Sequence, residues 1–298
     1  MPEVSVILPN YNHSRYLKER IDSILNQTFQ DFELIILDDC STDSSMDVIN
    51  QFKNNSFVSH IIEAQSNSGS TFIQWEKGIK LAQGKYIWIA ESDDLAHPEF
   101  LSKHLSVFNQ NPEVGLSFSA SAWIDENGKI IHEPAYETTF IKTGQELLKT
   151  EFSKGTFIYN ASSCVFKKNL VSLETLKKIS QYKYCGDWLF WAKMVPEVSV
   201  SRIGERLNFF RRHNQNVSFG SDHLGLRFTE GLPILKEVQE MAKMNSLEKG
   251  KNFVYWAMEL YLSPAKNKKE LIKLYPLVGK ITFGLAPIIL FFRKLNRA

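Results

Sequence analysis

Short runs of apolar residues alternate along the first ninety residues with segments whose apolar positions recur every three or four residues. The runs are residues 4–8, 32–37 and 86–90, in which Ser5 and Glu33 are the only polar residues. Short, mainly apolar runs without regular polar alternation are typical of strands buried on both faces of a parallel sheet. After the first run, Ser14 can cap a helix. The apolar face of that helix would consist of Leu17, Ile21, Ile24 and Leu25.

The order strand, helix, strand predicts a βαβ unit with parallel strands. Residues 58–63 suit a third strand, and residues 72–82 a helix that returns the chain to the run at 86–90. The predicted fold class is α/β, with a Rossmann-like, mostly parallel central sheet flanked by helices. Helical patterns at 224–244 and 251–262 predict a helical extension. We therefore predict a catalytic domain at 1–220 and a helical region at 221–298.

Acidic residues follow two of the predicted strands. They are Asp38, Asp39, Glu91, Asp93 and Asp94. The carboxyl ends of parallel strands meet at one edge, where ligands bind in open α/β sheets, so these acids should share a site. Acids two residues apart on an extended segment can point the same way and share one hard divalent cation. Alternatively, Asp93 and Asp94 cap the helix that follows Pro98.

The distribution of charge separates the two predicted regions. The net charge of all 298 residues is only +2, which gives no indication of a nucleic-acid partner. Residues 245–298 carry +7, however, and residues 1–244 carry −5, which suggests a basic region facing an anionic partner. The three cysteines lack metal-type spacing and no secretory signal is visible, so we expect a cytoplasmic protein with reduced thiols.

The basic region contains an apolar stretch at residues 274–292 that Pro276, Lys280 and Pro287 interrupt. Its longest uninterrupted part, residues 281–292, is shorter than the roughly 20 residues needed to cross a bilayer. Flanking lysines and arginines are typical of a helix that lies at a membrane interface. Two interpretations therefore stay open: peripheral contact with the inner face of a membrane, or a last helix packed on the catalytic domain.

The motifs narrow the function. No GxGxxG follows the first strand and no GxxxxGK[ST] occurs, which argues against a dinucleotide fold and a P-loop. VSVILPNYNHS, LDDCSTDSS, NSG and GKYIWIAESDD follow one another in an order and spacing that resemble family 2 glycosyltransferases over residues 3–115. The resemblance implies a GT-A fold and inverting transfer of a sugar from a nucleotide diphosphate to an acceptor hydroxyl. It also implies a nucleotide-sugar-binding half at 1–115 and an acceptor-binding half at 116–220.

The resemblance assigns donor-binding roles to residues of the first half. Pro9 and Tyr11 match the segment where a ring packs on the nucleotide base, and Asp39 matches the base-reading carboxylate. A carboxylate accepts a hydrogen bond from a ring N–H, which uracil, thymine and guanine offer. We therefore expect a UDP-sugar as the donor, with a dTDP- or GDP-sugar as alternatives. Asp38 either binds the ribose or braces the turn. The remaining donor-site residues are Asn12, Asn67, Gly69, Glu91, Ser92 and Asp94 of this half, together with Arg212 and His213 farther along the chain.

The sequence Glu91-Ser92-Asp93 stands where the family has D-x-D. Because glutamate is one methylene longer than aspartate, we expect Glu91 to reach the sugar or ribose and Asp93 to be the main metal ligand. The resemblance implies Mn²⁺ or Mg²⁺ as the cation. Asp94 either touches the donor sugar or caps the next helix. Residues 208–218, NFFRRHNQNVS, resemble the family's segment in which an Arg or His closes over the diphosphate. Within it, Arg212 and His213 either close over the diphosphate or are surface charges.

Residues 185–191, CGDWLFW, form a second candidate for chemistry. Asp187 matches the family's (E/G)D motif, which supplies the catalytic base, and surrounding aromatic rings would raise the basicity of its carboxylate. Trp188 or Trp191 could stack on a sugar. The alternative is a capping acid above an aromatic core.

Two other functions compete with sugar transfer. A nucleotidyltransferase-like enzyme is disfavoured because PNYNHS lacks a Gly-rich basic loop. A non-catalytic module that binds sugar nucleotides would carry the same donor residues without turnover. The sugar and the acceptor, a glycan or a lipid-linked sugar in cell-envelope glycan assembly, are not specified by the sequence.

Overall fold

The computed structural model describes residues 1–134, 138–213 and 223–295, with side chains described as far as Phe291 in the last helix. The chain divides into two compact units. The first comprises residues 1–144 and 158–213, and the second residues 145–157 and 214–298. The predicted domain boundary at residue 220 lies outside the described residues, so the predicted division stays a proposal.

The first unit alternates strands and helices, as the apolar pattern predicted. Its first part consists of β1 Val4–Asn10, α1 Ser14–Leu25, β2 Phe32–Asp38, α2 Ser45–Asn50, β3 Val58–Glu63, α3 Thr71–Leu81, β4 Tyr86–Ile89 and β5 Leu95–Ala96. It continues with α4 Phe100–Gln110, β6 Val114–Ile124, β7 Ile130–His132 and β8 Phe140–Thr143. After the excursion into the second unit come β9 Cys164–Lys167, α6 Leu173–Ile179, α7 Gly186–Met194 and β10 Ser199–Arg211.

One sheet runs through the first unit in the order β3-β2-β1-β4-β9-β6-β10-β5. The strands β1, β2, β3 and β4 are parallel, as predicted. Beyond β4 the sheet is mixed, because β9 runs antiparallel to both β4 and β6, while β6 and β10 are parallel. The carboxyl ends of β1, β2 and β4 therefore lie side by side at one edge of the sheet.

The two faces of β1 pack on different layers. Its even-numbered apolar residues belong to one core cluster together with the apolar face of α1 and with Phe100 of α4. On the other face, Ile7 lies so close to Gly78 of α3 that a Cβ on the glycine would be 2.3 Å from Ile7 Cγ2. Gly78 thus lets α3 approach the sheet, which brings the start of this helix to the edge where the strands end.

Two capping predictions are wrong. The N-cap of α1 is His13 rather than Ser14, and it makes no side-chain capping bond; instead the Ser14 N–H donates to Asp43 Oδ2 at 2.9 Å. Helix α4 begins at Phe100 with Glu99 as N-cap and no side-chain cap, so neither Asp93 nor Asp94 caps it. Both helix starts are held by loop contacts that a local capping rule does not include.

The second unit is helical. Its helices are α5 Gly144–Thr150 (whose first residue belongs to the first unit), α8 Leu226–Met241, α9 Ser246–Leu262, α10 Lys268–Leu271 and α11 Leu277–Leu295. Trp256 of α9 is buried in its core, where Nε1 donates to the Ser153 carbonyl at 3.2 Å. Helix α11 continues through Pro287 and contacts α9, with the rings of Tyr261 and Phe283 5.6 Å apart. Among the described residues, none of the helices combines the length and apolarity that a bilayer span requires.

Candidate active site

The loops after β1 and β2 are joined by hydrogen bonds around Asp38. Its carboxylate accepts from Asn10 Nδ2 at 2.7 Å and from Ser41 N and Oγ at 2.8 and 2.6 Å. The Asn12 N–H donates to the same Ser41 hydroxyl at 2.9 Å, and Asn12 adopts the left-handed conformation (φ 56°) that asparagine tolerates. Of the two roles predicted for Asp38, these contacts favour bracing of the turn. Pro9 is buried within β1, and Tyr11 beyond it is 43% exposed.

Asp39 is buried and organises the loop at residues 67–70. Its carboxylate accepts from the Ser68 N–H at 3.0 Å, from Ser68 Oγ at 2.7 Å and from Gln74 Nε2. Asn67 Nδ2 donates to the Asp39 carbonyl at 3.2 Å, and Gly69 has the positive φ, 72°, that glycine adopts without steric cost. The predicted donor-site residues Asp39, Asn67 and Gly69 are therefore brought together.

The acids after β4 lie in a poorly solvated corner. Glu91 Oε1 accepts from Trp75 Nε1 at 2.9 Å, and burial, then the charge of Asp93, raises the pKa of Glu91 to about 8. Asp94 is fully buried and accepts from the Arg211 N–H at 3.0 Å and from Asn160 Nδ2 at 2.8 Å. Burial and the charge of Asp93 raise the pKa of Asp94 to about 6.

Two histidines from distant parts of the chain meet at Asp93. His213 Nε2 lies 2.9 Å from Asp93 Oδ2, and His13 Nδ1 lies 2.8 Å from Ser92 Oγ. Burial would raise the pKa of Asp93, but the hydrogen bond to His213 and the charges of both histidines outweigh it and the pKa is lowered. Burial also lowers the pKa of His13, which favours the neutral imidazole.

These three side chains have the chemistry of a metal site. Each of His13, Asp93 and His213 offers one ligand atom, and these atoms all lie within 4.8 Å of one another. A carboxylate oxygen with two imidazole nitrogens suits a divalent ion of the first transition series, Mn²⁺ among them, better than Mg²⁺, which favours oxygen ligands. The residues present therefore fit the predicted cation.

Two buried arginines balance the acidic corner. Arg211 donates through Nε to the Asp93 carbonyl at 2.7 Å and through Nη2 to Glu19 Oε2 at 2.9 Å. Arg20 is fully buried in α1, with its guanidinium 5.0 Å from the centre of the Trp88 ring and none of its three nitrogens hydrogen-bonded within the described residues. Burial lowers the pKa of Arg20 to about 10 against the opposing pull of the acids, so it stays charged at neutral pH.

The neighbouring residue Arg212 occupies different surroundings. Successive side chains of a strand point to opposite faces, and while Arg211 turns to the acids, the guanidinium of Arg212 lies 5.1 Å from the ring centre of Trp123 and 5.3 Å from that of Phe210. The structure thus brings His213 to the acidic corner and leaves Arg212 on an aromatic platform. Residues 214–218 of the predicted diphosphate-closing segment lie outside the described residues.

Asp187 stands in the first turn of α7, where its Oδ1 accepts from the Trp188 N–H at 2.7 Å. A Cβ on Gly186 would lie 2.6 Å from Phe72 Cε2, so glycine allows α7 to start against α3. Trp188 and Trp191 are both buried, and Trp191 packs among Phe166, Trp75 and Phe190. The prediction that one of these tryptophans stacks on a sugar is therefore wrong.

Helix α3 contacts three parts of this arrangement with residues of one turn. Gln74 donates to Asp39, Trp75 donates to Glu91, and the Phe72 ring packs against Gly186 at the start of α7. The loop at residues 67–70, the acidic corner and the helix that carries Asp187 are thus positioned by the same helix.

Residues 5–172, more than half of the chain, match the model of the family described as "Glycosyl transferase family 2". The chain belongs to this family. Its predicted membership, made from motifs within residues 3–115, is confirmed, and the match extends beyond them through β9.

Relatives in family 2 share moderate identity. An uncharacterized glycosyltransferase of Methanocaldococcus jannaschii is 32% identical over 196 residues, which cover 65% of this chain and 65% of that protein. The Staphylococcus aureus poly(ribitol-phosphate) beta-N-acetylglucosaminyltransferase TarP is 25% identical over 288 residues, which cover 95% of this chain and 79% of TarP. The chain spans only 54% to 66% of the length of three of the curated relatives that it matches, and the M. jannaschii protein is one of them.

A solved structure resembles nearly the whole chain. Residues 1–349 of S. aureus TarS, in complex with UDP-GlcNAc, superpose with a TM-score of 0.66 at 16% identity, over 99% of this chain and 88% of that one. At this identity the likeness shows the fold alone. The predicted GT-A fold with a helical carboxyl-terminal part is therefore confirmed.

Four residues of this family 2 site were not predicted from the sequence. His13, Arg20, Asn160 and Arg211 each contact or balance the acids after β4. A signal existed for His13, which directly follows Asn12 in the loop after β1, at the edge where the acids were expected. Arg20 lies on the apolar face of α1, between Leu17 and Ile21, and a charged residue there is itself an indication of buried acids.

Proposed function

We propose that the protein transfers a sugar from a nucleoside diphosphate sugar to an acceptor hydroxyl, with inversion at the anomeric carbon. The observation that carries the proposal is the clustering of Asp93, His13 and His213 at the sheet edge of a family 2 glycosyltransferase chain. The same edge carries an exposed tyrosine and a loop organised by Asp39, which suit a nucleotide.

The donor is proposed to be a UDP-sugar, with dTDP- and GDP-sugars as alternatives. Tyr11 offers an exposed ring for stacking on the base. The Asp39 carboxylate has about four acceptor positions, and an N3–H of uracil or thymine or the N1–H of guanine would compete with or supplement its bonds to Ser68 and Gln74. The fold neighbour TarS was solved with UDP-GlcNAc, which supports UDP as the first donor to test.

His13, Asp93 and His213 would hold a divalent cation, for which we propose Mn²⁺ in preference to Mg²⁺. When bound, the cation supplies positive charge that stabilises the departing diphosphate. Ser92 orients the His13 ring through its hydroxyl at 2.8 Å, and Arg211 fixes the backbone of Asp93. Glu91 and Asp94 complete the corner and, with raised pKa values, would hydrogen-bond donor hydroxyl groups in either protonation state.

Asp187 is proposed as the general base. Its carboxylate would accept the proton of the acceptor hydroxyl while the acceptor oxygen forms a bond to the anomeric carbon and the bond from that carbon to the diphosphate oxygen breaks. The nucleoside diphosphate leaves with the electron pair. A single displacement of this kind inverts the anomeric centre.

The acceptor is proposed to be a glycan, either polymeric or lipid-linked. TarP is named for a polymer, poly(ribitol-phosphate), and another relative, from Campylobacter jejuni, is named for a lipid-linked one, GalNAc(5)-diNAcBac-PP-undecaprenol. A lipid-linked acceptor would place the reaction at the cytoplasmic face of a membrane.

The test is Asp187→Asn, assayed for UDP release and for donor binding by calorimetry in the presence of Mn²⁺. Loss of a general base typically costs about 10²–10⁴-fold in rate, so kcat should fall by this factor while the Kd for the UDP-sugar changes little. The matched control is Asp47→Asn, because Asp47 is an exposed acid in the first turn of α2. Its kcat should stay at the wild-type value.

Three outcomes would contradict the proposal. Unchanged turnover in Asp187→Asn would show that Asp187 is not the general base. Tight donor binding without turnover by the wild-type protein, over a panel of glycan acceptors, would favour a binding module. Equal donor affinity in Mn²⁺ and in EDTA would show that no divalent cation takes part in donor binding.

A further inference from the structure

Helix α11, in the second unit, has its large and small residues on the wrong sides for a helix exposed to water. The side that faces its neighbours carries Gly279, Thr282 and Ala286, and a Cβ on Gly279 would lie 3.7 Å from the Phe253 carbonyl of α9. The outward side carries large apolar residues, each between 47% and 71% exposed. They are Leu277, Ile281, Leu285, Ile288 and Phe291.

The outward residues form one continuous stripe, because their spacings of four, four, three and three follow the helical repeat. The nearest charged residue along this face is Lys280. Surface helices of water-exposed proteins show the opposite pattern, with the apolar stripe turned to the core. An exposed apolar face of this length marks a surface that binds something apolar.

A groove of about 700 Å³ borders α11, which contributes Phe283 to its lining. Lys266, Lys268 and Lys269 line it together with Tyr261, Asn267 and one acid, Glu270. Lys268 Nζ is held by the Tyr261 carbonyl at 2.6 Å, which keeps its charge at the wall of the groove. Ammonium groups next to an apolar stripe match the two layers of a lipid surface, phosphate headgroups above acyl chains.

We propose that the outward stripe of α11 and the adjacent lysine groove form a surface that binds an anionic bilayer, with α11 lying in the plane of the membrane. Residues 264–298 contain eight lysines and arginines and a single acid, Glu270. A second copy of this chain on the same stripe would bring an equal positive charge against it, whereas anionic headgroups bring the opposite charge. The proposal does not depend on the transfer reaction.

The mode of binding follows from the length of the stripe. Leu277 to Phe291 covers four turns of helix, about 21 Å at 1.5 Å per residue, with the most exposed of its large apolar residues along one side. This geometry suits a helix whose apolar side enters the boundary between headgroups and acyl chains, while the side that packs on α9 stays out of the lipid.

The experiment is co-sedimentation of the full chain with two kinds of vesicle, one of phosphatidylcholine alone and one that also contains about one third of the anionic lipid phosphatidylglycerol. Wild-type protein should bind the anionic vesicles, and more weakly as salt rises, because salt screens the lysines. Ile281→Ser/Ile288→Ser should weaken the binding at least about tenfold, since two exposed apolar side chains no longer enter the lipid. The outward position of both residues leaves the packing of α11 on α9 intact.

A charge variant tests the other half of the surface. Each lysine near an anionic surface contributes about a factor of five, so Lys266→Ala/Lys269→Ala should weaken binding about 25-fold and flatten the salt dependence. Matched controls come from the first unit: Leu173→Ser, because Leu173 is 60% exposed, and Lys53→Ala/Lys177→Ala, because both lysines are exposed. Neither control should change binding.

Two results would overturn the proposal. One is vesicle binding by the stripe and groove variants equal to that of the wild type, with unfolding midpoints unchanged. The other is a wild-type dimer in analytical ultracentrifugation that Ile281→Ser/Ile288→Ser converts to a monomer while vesicle binding persists, which would make the stripe a self-association surface.

Discussion

The carboxylates after β2 and those after β4 stand at the same edge of the sheet in opposite surroundings. Asp38 and Asp39 are surrounded by donors from the chain itself, and their bonds to Ser41 and Ser68 hold two loops. The acids after β4 instead crowd one another beside a buried arginine, so that the pKa of Glu91 rises to about 8 while that of Asp93 is lowered by its histidine neighbours. The carboxylates after β2 thus shape the loops of this edge, whereas Asp93, which lies apart from water beside two histidines, has the surroundings of a metal ligand.

The largest expected effect is that of Asp93→Asn on metal binding. Changes that only touch the surroundings of a ligand cost about 10–100-fold in metal affinity, so loss of the carboxylate should cost at least about 100-fold for Mn²⁺. Electron paramagnetic resonance of free Mn²⁺ measures this without any assay of activity. Asp38→Asn is the matched variant in the other corner and should leave Mn²⁺ affinity unchanged; equal losses in both would erase the contrast between the corners.

A smaller effect, on stability, is expected from Asp39→Asn. The amide of asparagine would turn an N–H₂ group toward the Ser68 and Gln74 donors, and a buried donor without an acceptor costs about 1–3 kcal/mol. Urea unfolding in EDTA, followed by circular dichroism, measures the loss. Asp31→Asn, at an exposed position directly before β2, serves as control, and a stability loss as large in this control would contradict the role given to Asp39.

The smallest effect concerns Ser41→Ala. The variant removes the hydroxyl that bonds Asp38 and Asn12, while the Asn10 side chain and the backbone N–H of residue 41 still serve Asp38. The net worth of such a hydrogen bond is about 0.5–1.5 kcal/mol, which sets the expected destabilisation. Mn²⁺ affinity should not move, and a shift in it would show that the two corners are energetically coupled.

The strands and the location of the acids were predictable because both depend on local sequence. A strand buried on two faces is apolar along most of its length, so residues 4–8, 32–37 and 86–90 indicate strands in spite of Ser5 and Glu33. Parallel order then brings the residues after each strand to one edge. Asp93 and Asp39 were found in this way without knowledge of a single contact.

The side chains and N–H groups that surround the acids after β4 were not predictable, because they come from distant parts of the chain. His13 meets Ser92 across 79 positions, and His213 meets Asp93 across 120. Asp94 was considered as a cap since its nearest possible partners in sequence are the N–H groups of α4, yet it accepts from Arg211 and Asn160. Capping rules consider only partners that are near in sequence, whereas the observed partners of Asp94 are near only in the folded chain.

Orientation of side chains about a helix limited the prediction at α7. Its nine residues are apolar almost all round, so no face of GDWLFWAKM was marked as inward, and tryptophans that fill the core could be taken for a sugar platform. The opposite case is α11, where an apolar stretch was visible in the sequence but the outward direction of its large residues required coordinates.

Helix α3 links the positions of three parts of the candidate site. Phe72, Gln74 and Trp75 belong to one turn, and Gly78 one turn later packs on Ile7, so any tilt of the helix would shift the loop at residues 67–70, the acids after β4 and the start of α7 together. Adjustment of one of these parts for a new sugar or acceptor would have to be made in the surrounding loops, because the helix itself cannot be moved for one without disturbing the other two.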